Sequence, residues 1–313
     1  MPADPHHPPV TLLGPQRDPV LDQVLGSLGL HGRIALINAG WREREPDDEL
    51  LATLAGGDTV NLRLWHRMQE VWEADPEFAE ADQRRRAVLE EMQELYLLGL
   101  DHVVRAIAAL HQHTPRTHAV REQAIADAEE IMRDMDQRHL DRVAEVHQRF
   151  WARWRPHERP AVAAARAAVS RELADAQAVV ITGGHVGVLV GALHLFNVAP
   201  QIRVPVIAWG AGAMALTERV VLFHDRAAHG PTAAEVFSAG VGLVRGVVAL
   251  PDARSRLDLD NRTRMATLAR RFAPAACLVL DAGTRVDLGP DGALPEDAPV
   301  LRPDGTVRPG GPV

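Results

Sequence analysis

A turn of four small residues is the first feature of this sequence that could do chemistry. Gly210-Ala211-Gly212-Ala213 follows the apolar run 204–209 and precedes a stretch of helical character. A tight strand-to-helix turn exposes one side chain and points the next backbone N–H groups into the same space, which suits an oxyanion. Small residues also occur wherever a helix packs closely on a sheet. The turn alone leaves both interpretations open.

Two histidines stand close to this pattern. His185 follows a Gly183-Gly184 turn after another apolar run. We expect it at the carboxyl edge of a sheet, where open α/β proteins bind their ligands. A ligand-binding role and an ordinary loop position are both open for this histidine. His224 precedes Asp225, and such a pair could supply an oriented base, although a base is of little use without a nucleophile nearby.

A second group of histidines has metal-ligand residue types but unsuitable spacing. His139 and His147 are eight residues apart on a predicted helix, with Asp136 and Glu145 close by. Eight residues are two helical turns, about 12 Å, which is too far for one metal ion. We therefore predict a solvated helix face, no metal site and no cofactor.

The elements that must position these residues alternate between short apolar runs and helical patterns. Runs that end at glycine and are separated by helices indicate a parallel sheet built of βαβ units. The stretch 59–65 is predicted to be one of these strands. Charged and apolar residues recur at helical spacing in the middle of the chain, where Pro115 divides two long helices. The predicted parts are an α/β segment 1–65, a helical insertion 66–174, a second α/β segment 175–289 with the small-residue turn, and a loop-rich tail 290–313.

Composition excludes several classes of protein. The chain has 313 residues, a formal net charge of −8 and no lysine, which argues against nucleic acid as a partner. No apolar run reaches the ~18 residues of a membrane span or resembles a signal peptide. The single cysteine, Cys277, lies in an apolar run, so we expect its side chain to be buried. One cysteine cannot form an internal disulfide, which fits a protein of a reducing compartment. We therefore expect a cytoplasmic protein with no membrane partner.

From about Ala178 to its last predicted strand, the chain resembles the dipeptidase E and cyanophycinase family of serine peptidases. The resemblance is carried by the motif TGGH at 182–185, the turn GAGA at 210–213, where the family has Ser-Ala-Gly-Ala, and GVGLVRGVV at 240–248. The family shares the class I glutamine amidotransferase-like fold. The resemblance thus implies a mostly parallel, flavodoxin-like sheet sandwiched by helices, to which this chain adds a large helical insertion.

Carried over residue by residue, the resemblance implies an incomplete catalytic triad. The position of the serine nucleophile is Gly210, and the position of the histidine base is Asp252. Glycine cannot attack a carbonyl, and aspartate cannot replace imidazole as a base near neutral pH. The acidic third member falls at Asp225. The family's oxyanion hole corresponds to the backbone N–H groups of Gly184 and Ala211, which need no particular side chain.

Three functional hypotheses follow. The preferred one is a non-hydrolytic pseudopeptidase that binds a small carboxylate or peptide-like ligand at Gly183, Gly184, His185, Gly210 and Ala211, with Asp252 beside them. The second is an active hydrolase of peptide or amide bonds that uses rebuilt groups such as His185 or the His224–Asp225 pair. The third is a scaffold or partner-binding protein, or a homodimer, that acts through the helical insertion.

Overall fold

A computed structural model of the chain describes residues 8–225, 233–289 and 291–309. Residues 1–7 of the predicted first segment, and residues 290 and 310–313 of the predicted tail, lie outside the described residues. The strands are β1 Val10–Leu13, β2 Ile34–Ile37, β3 Thr59–Asn61, β4 Ala178–Ile181, β5 Val206–Trp209, β6 Arg219–Leu222, β7 Glu235–Ala239, β8 Val247–Pro251, β9 Ala276–Leu280, β10 Arg285–Asp287, β11 Pro299–Leu301 and β12 Val307–Pro309.

Helices alternate with these strands and also fill the centre of the chain. The α-helices are α1 Leu21–Ser27, α2 Glu49–Leu54, α3 Leu64–Ala74, α4 Pro76–Gln112, α5 His118–Trp154, α6 Pro160–Ala174, α7 Val186–Leu195, α8 Ala211–Leu216, α9 Ala253–Arg256 and α10 Arg262–Phe272. Short 3-10 helices occupy Ala39–Arg44, Pro156–Glu158 and Ala199–Gln201. Within the described residues, no helix combines the length and the apolar character needed to cross a membrane.

The main sheet has six strands in the order β10-β1-β5-β4-β2-β3. All neighbours from β1 to β3 are parallel, and β10 runs antiparallel at one edge. Its central strands are buried on both faces, so they are apolar throughout rather than alternating with polar residues. Ile34 and Leu36 pack with residues of α1 and α2, whereas Ala35 and Ile37 pack with residues of α3, α6 and α7. Helices therefore cover both faces, and the predicted α/β class is confirmed.

The remaining strands do not extend this sheet. A second sheet has the order β12-β11-β9-β8, with β8 and β9 parallel, and β6 pairs with β7 in a separate antiparallel ribbon. The two larger sheets meet at the carboxyl ends of β1 and β9, where the backbone of Gly14 touches that of Asp281. A Cβ on Gly14 would overlap the carbonyl oxygen of Asp281, so only glycine fits this approach.

The strand predicted at 59–65 ends early. β3 stops at Asn61, and Arg63 adopts a left-handed conformation with φ 48° that breaks the extended run. The buried carboxylate of Glu45 then accepts the N–H groups of Trp65 and His66 at 3.1 and 3.0 Å. These N–H groups belong to the first turn of α3, where no partner exists inside the helix. A carboxylate 20 residues before Trp65 thus converts the end of the predicted strand into a helix start.

Helices α4 and α5 form a long antiparallel hairpin of 37 residues each, about 55 Å in length. Asp75 begins α4 by accepting the N–H of Phe78, and Pro76 occupies the first helical position. The loop between the helices contains Pro115, as predicted from the sequence. Trp65, Trp72, Trp151 and Trp154 pack against the core cluster that includes the sheet. The division of the chain at residues 66 and 174 stays a prediction.

The prediction of a solvated face around His139 is wrong. Asp136 and His139 are only 1% and 5% exposed, because the α4–α5 hairpin lies over β7 and α10. Arg271 of α10 donates to both carboxylate oxygens of Asp136 at 2.7 Å, and the Tyr96 hydroxyl donates to the same carboxylate at 2.7 Å. The N–H of Val236 in β7 donates to the Tyr96 oxygen. The polar residues of this face therefore connect α4, α5, α10 and β7.

Candidate functional site

Three neighbouring strands of the main sheet end side by side. β2, β4 and β5 are adjacent and parallel, so their carboxyl ends meet at one edge. Each continues into small residues, and we refer to the segments 38–40, 182–185 and 210–211 as the strand-end site. Thr182 donates its N–H to the carbonyl of Ile37, which extends the pairing of β2 and β4 by one residue. Ligands of open α/β sheets bind at this kind of edge.

Gly210 occupies the turn between β5 and α8. Its backbone angles are φ 56° and ψ −125°, a combination that costs any residue with a side chain on the order of 1–3 kcal/mol. An ideal Cβ on this glycine would lie 3.2 Å from the Cα of Gly183, closer than most Cβ contacts. The turn therefore has the sharp shape of a nucleophile elbow, with no side chain at its apex.

The turn after β4 is held against the turn after β2. The N–H of His185 donates to the carbonyl of Gly40 at 2.8 Å. Gly184 has φ 111°, a region that favours glycine, and a Cβ there would overlap the backbone of Gly40. A Cβ on Gly40 would in turn lie 2.7 Å from the carbonyl oxygen of Gly183. Glycine at these positions is a steric requirement of the two turns.

Several backbone N–H groups at this edge have no acceptor among the described residues, and two of them are those of Gly184 and Ala211. Within the part of the chain that the structure describes, neither Gly184 nor Ala211 donates its N–H to another protein group. An ideal Cβ on Gly183 would lie 3.8 Å from the nitrogen of Ala211, so the two turns are in contact. Backbone N–H groups gathered in adjacent turns form concavities that favour anions. These are the donors that the resemblance assigned to an oxyanion hole.

His185 contributes an exposed ring to the strand-end site. Its Nδ1 atom accepts the N–H of Val188 at 3.2 Å and so caps the start of α7. In the neutral ring an accepting Nδ1 places the proton on Nε2. Nε2 is therefore a hydrogen-bond donor toward solvent, which suits binding of an anion better than abstraction of a proton.

The two remaining triad positions make contacts with other elements. Asp225 is buried, and its carboxylate accepts two hydrogen bonds from Arg264 at 2.5 and 3.0 Å. Its Oδ2 also accepts the N–H of Asp258 at 3.2 Å, so Asp225 links the end of β6 to the segment before α10. Asp252 is half-buried in a left-handed conformation with φ 58° and donates its N–H to Leu280. Asp252 therefore lies at the carboxyl ends of β8 and β9, which belong to the second sheet.

Sequence reasoning missed the contribution of the turn after β2. Asn38 is fully buried at this edge, and neither polar atom of its side chain has a hydrogen-bond partner within the described structure. Arg42, four residues further on, has φ 59° and ψ −123°, nearly the same strained angles as Gly210. The signal was present in the sequence, because Asn38-Ala39-Gly40 follows an apolar run just as the Gly183-Gly184 turn does.

The strand-end site is an open surface. Gly184 and His185 are exposed, and two cavities of about 380 Å3 each lie elsewhere, between α4 and α5 and beside α10. Cys277 offers no substitute nucleophile, because burial raises its thiol pKa to about 12 and it lies on β9. In the described residues, no group of three or more His, Cys, Asp or Glu side chains could hold a metal ion. The arrangement can donate hydrogen bonds to an anion.

Comparison with known proteins gives little further information. No family model and no curated protein matches the sequence. Among solved structures, the chain is similar to the crystal structure of a peptidase from an acI-B1 actinobacterium, with 13% sequence identity and a TM-score of 0.43. The alignment covers 95% of this chain and 93% of that chain. At this TM-score the likeness identifies neither a site nor an activity.

Proposed function

We propose that the chain is a non-hydrolytic pseudopeptidase of the class I glutamine amidotransferase-like fold, which binds a small carboxylate or peptide-like ligand at the strand-end site. The observation that carries this proposal is the conformation of Gly210. The backbone makes the sharp turn that presents a nucleophile, yet the residue at the apex has no side chain. A site of this shape can hold the group that a nucleophile would attack.

The ligand would be held chiefly by backbone donors. A carboxylate oxygen beside Gly210 would accept the N–H groups of Gly184 and Ala211, and the Nε2–H of His185 would add a third hydrogen bond. Hydrogen bonds to a charged acceptor are roughly twice as strong as neutral ones. Because the surface is open and water competes, we expect a dissociation constant on the order of 1 mM for a minimal ligand.

Hydrolysis is not expected at a useful rate. Gly210 supplies no nucleophile, and the position assigned to the base is Asp252. An oxyanion hole and binding alone leave roughly 10³-fold acceleration over water after a triad is removed. Such a rate would be visible only after long incubation.

The proposal is tested with N-acetylglycine, which combines a carboxylate with one peptide unit, and its neutral amide N-acetylglycinamide. Titration followed by NMR of the protein backbone should show saturable shifts at Gly184 and Ala211 with the carboxylate and much weaker shifts with the amide. Rapid cleavage of an acidic dipeptide, together with labelling by a serine-directed fluorophosphonate, would contradict the proposal.

A hydrolase with rebuilt groups is the second candidate. It is supported by the exposure of the His185 ring at the same edge as the unpaired N–H groups of Gly184 and Ala211. If the chain is such an enzyme, His185→Ala should abolish its activity, whereas His224→Ala tests the other histidine. Activity that survives both substitutions would exclude these residues from the mechanism.

A further inference from the structure

The helical hairpin contains a groove that the proposed function does not use. It has a volume of about 380 Å3 and lies between the first half of α4 and the last half of α5. α4 contributes Arg84, Arg85 and Val88, and α5 contributes Phe150, Arg153 and Trp154. Arg84 and Arg85 precede Val88 by four and three residues. Arg153 and Trp154 follow Phe150 by three and four, so each set lies on one face. We refer to this feature as the arginine groove.

The floor of the groove is aromatic. The rings of Phe150 and Trp154 lie 6.4 Å apart with an interplanar angle of 29°. The guanidinium of Arg85 lies 4.6 Å from the centre of the Phe150 ring, and Phe78 supports the same ring at 5.6 Å. Ala81 lines the groove where a larger residue would fill it. Phe150 is only 7% exposed, so a flat apolar group in the groove would lie chiefly against Trp154 and touch the small exposed part of Phe150.

The residues that line the arginine groove carry positive charge, although the net charge of the chain is negative. Three arginines line the groove and no carboxylate does, whereas the formal net charge of the chain is −8. Arg84 pairs with Glu80, and Arg85 pairs with Asp82 at 2.5 Å. Within the described part of the chain, no carboxylate lies within ion-pair distance of the exposed Arg153, whose guanidinium is 5.7 Å from the Trp154 ring.

Arg85, at the base of the groove, has one N–H group without a hydrogen-bond acceptor among the described residues. Arg85 has only 12% of its side chain exposed, and its Nε atom is buried without a hydrogen-bond partner in the described structure. Its Nη1 bonds the Nδ1 of His147, so the ring accepts and stays neutral. Arg85 is therefore held by Asp82 and His147 and forms a fixed cationic wall of the groove.

We propose that the arginine groove binds a small anion with a flat aromatic body, namely an aryl carboxylate or an aryl phosphate. The ring touches Phe150 and packs chiefly on Trp154, where aromatic pairs gain from offset stacking. The oxyanion lies at the mouth of the groove and pairs with Arg153, with Arg84 beside it. Guanidinium forks match the geometry of both carboxylate and phosphate.

Calorimetric titration of the full chain with matched probes tests this site. The probes are 2-naphthoate, 2-naphthyl phosphate, the neutral 2-naphthamide and acetate, which lacks a ring. We expect saturable binding of at least one naphthyl anion, at least about fivefold tighter than binding of the amide or of acetate. Tighter binding of the phosphate assigns a phosphate ligand and tighter binding of the carboxylate assigns a carboxylate ligand; either result supports the site.

Variants on α5 locate the binding. Arg153→Gln removes the guanidinium without breaking an ion pair, and we expect it to weaken the naphthyl anion about threefold to tenfold. Arg149→Gln is the matched control, because Arg149 is exposed one turn earlier and pairs with Glu145 outside the groove. Equal affinity for anion and amide, no saturable binding, or equal loss in both variants would overturn the proposal.

Discussion

The backbone N–H of His185 donates a 2.8 Å hydrogen bond to the carbonyl oxygen of Gly40. This bond fixes the turn after β4 to the turn after β2 and brings Gly184 against the backbone of Gly40. The strand-end site is thus built by contacts between turns that lie far apart in the sequence. The close approach of these turns requires glycine at positions 40 and 184, because a Cβ at either would overlap the backbone of the other turn.

A methyl group on Gly184 should disrupt this contact. It would overlap the carbonyl of Gly40, and the φ of 111° is unfavourable for alanine. We expect Gly184→Ala to lower the free energy of unfolding by at least about 3 kcal/mol. Gly242→Ala is the control, since it has φ 69° but open space, and should cost only about 1–2 kcal/mol. Urea denaturation measures both, and equal losses would show that the approach of the turns is not tight.

His147 should make stability depend on pH. Burial and the neighbouring Arg85 lower the pKa of its imidazole from 6.5 to about 4. The unfolded chain therefore binds the proton more readily, so this contribution is complete above about pH 6.5 and is lost as the pH falls toward 4. Over this pH range the contribution of His147 to the free energy of unfolding falls by about 2–3 kcal/mol. Urea denaturation of wild type and His147→Gln between about pH 7 and pH 4 should give stabilities that converge at low pH; parallel curves would contradict the assignment.

The buried pair of Arg271 and Asp136 should be costly to break from one side. Arg271→Met leaves a buried carboxylate without its cation, and we expect a loss of about 3–5 kcal/mol in the free energy of unfolding. Adding Asp136→Leu should restore part of this loss. Arg138→Met removes an exposed pair with Asp134 on the same helix and should cost under about 1 kcal/mol. A double variant less stable than the single one would show that the charges do not act as a pair.

Self-association through the helical hairpin is tested on the outer face of α4. Leu95 and Leu98 have 62% and 65% of their surface exposed, which is large for leucine on a helix. If this face forms a homodimer, the double substitution Leu95→Glu and Leu98→Glu should give monomers by light scattering. Leu50→Glu on α2, where the leucine is 59% exposed, should leave the dimer intact. A wild type that stays monomeric at about 100 μM would exclude the dimer as a stable species.

The α/β class could be predicted because short apolar runs bounded by glycine and helical patterns are typical of buried parallel strands. The run from Ala178 to Ile181 is one example, and it forms β4. The sequence also places Gly210 and the Gly183-Gly184 turn after strands that prove to be neighbours. It does not reveal the separate sheet that contains Cys277, because the arrangement of strands depends on contacts such as that of Gly14 with Asp281.

The burial of polar residues in the helical hairpin could not be predicted from the sequence either. Asp136 and His139 have polar side chains, which predict solvent exposure unless a distant partner such as Arg271 is known. Likewise, the capping of α3 by Glu45 joins residues 20 positions apart. Local sequence patterns predict where helices and strands form. The long-range polar contacts determine where these elements end and which of their faces are buried.

Removal of one backbone donor tests the central claim most directly. Proline is tolerated at the first position of a helix, so Ala211→Pro deletes the N–H of residue 211 at the start of α8, and Ala211→Gly keeps that N–H. With folding of both variants checked by thermal unfolding, we expect N-acetylglycine to bind at least about tenfold more weakly to Ala211→Pro and within about twofold of wild type to Ala211→Gly. Wild-type affinity in Ala211→Pro would contradict the assignment of this turn as the carboxylate site.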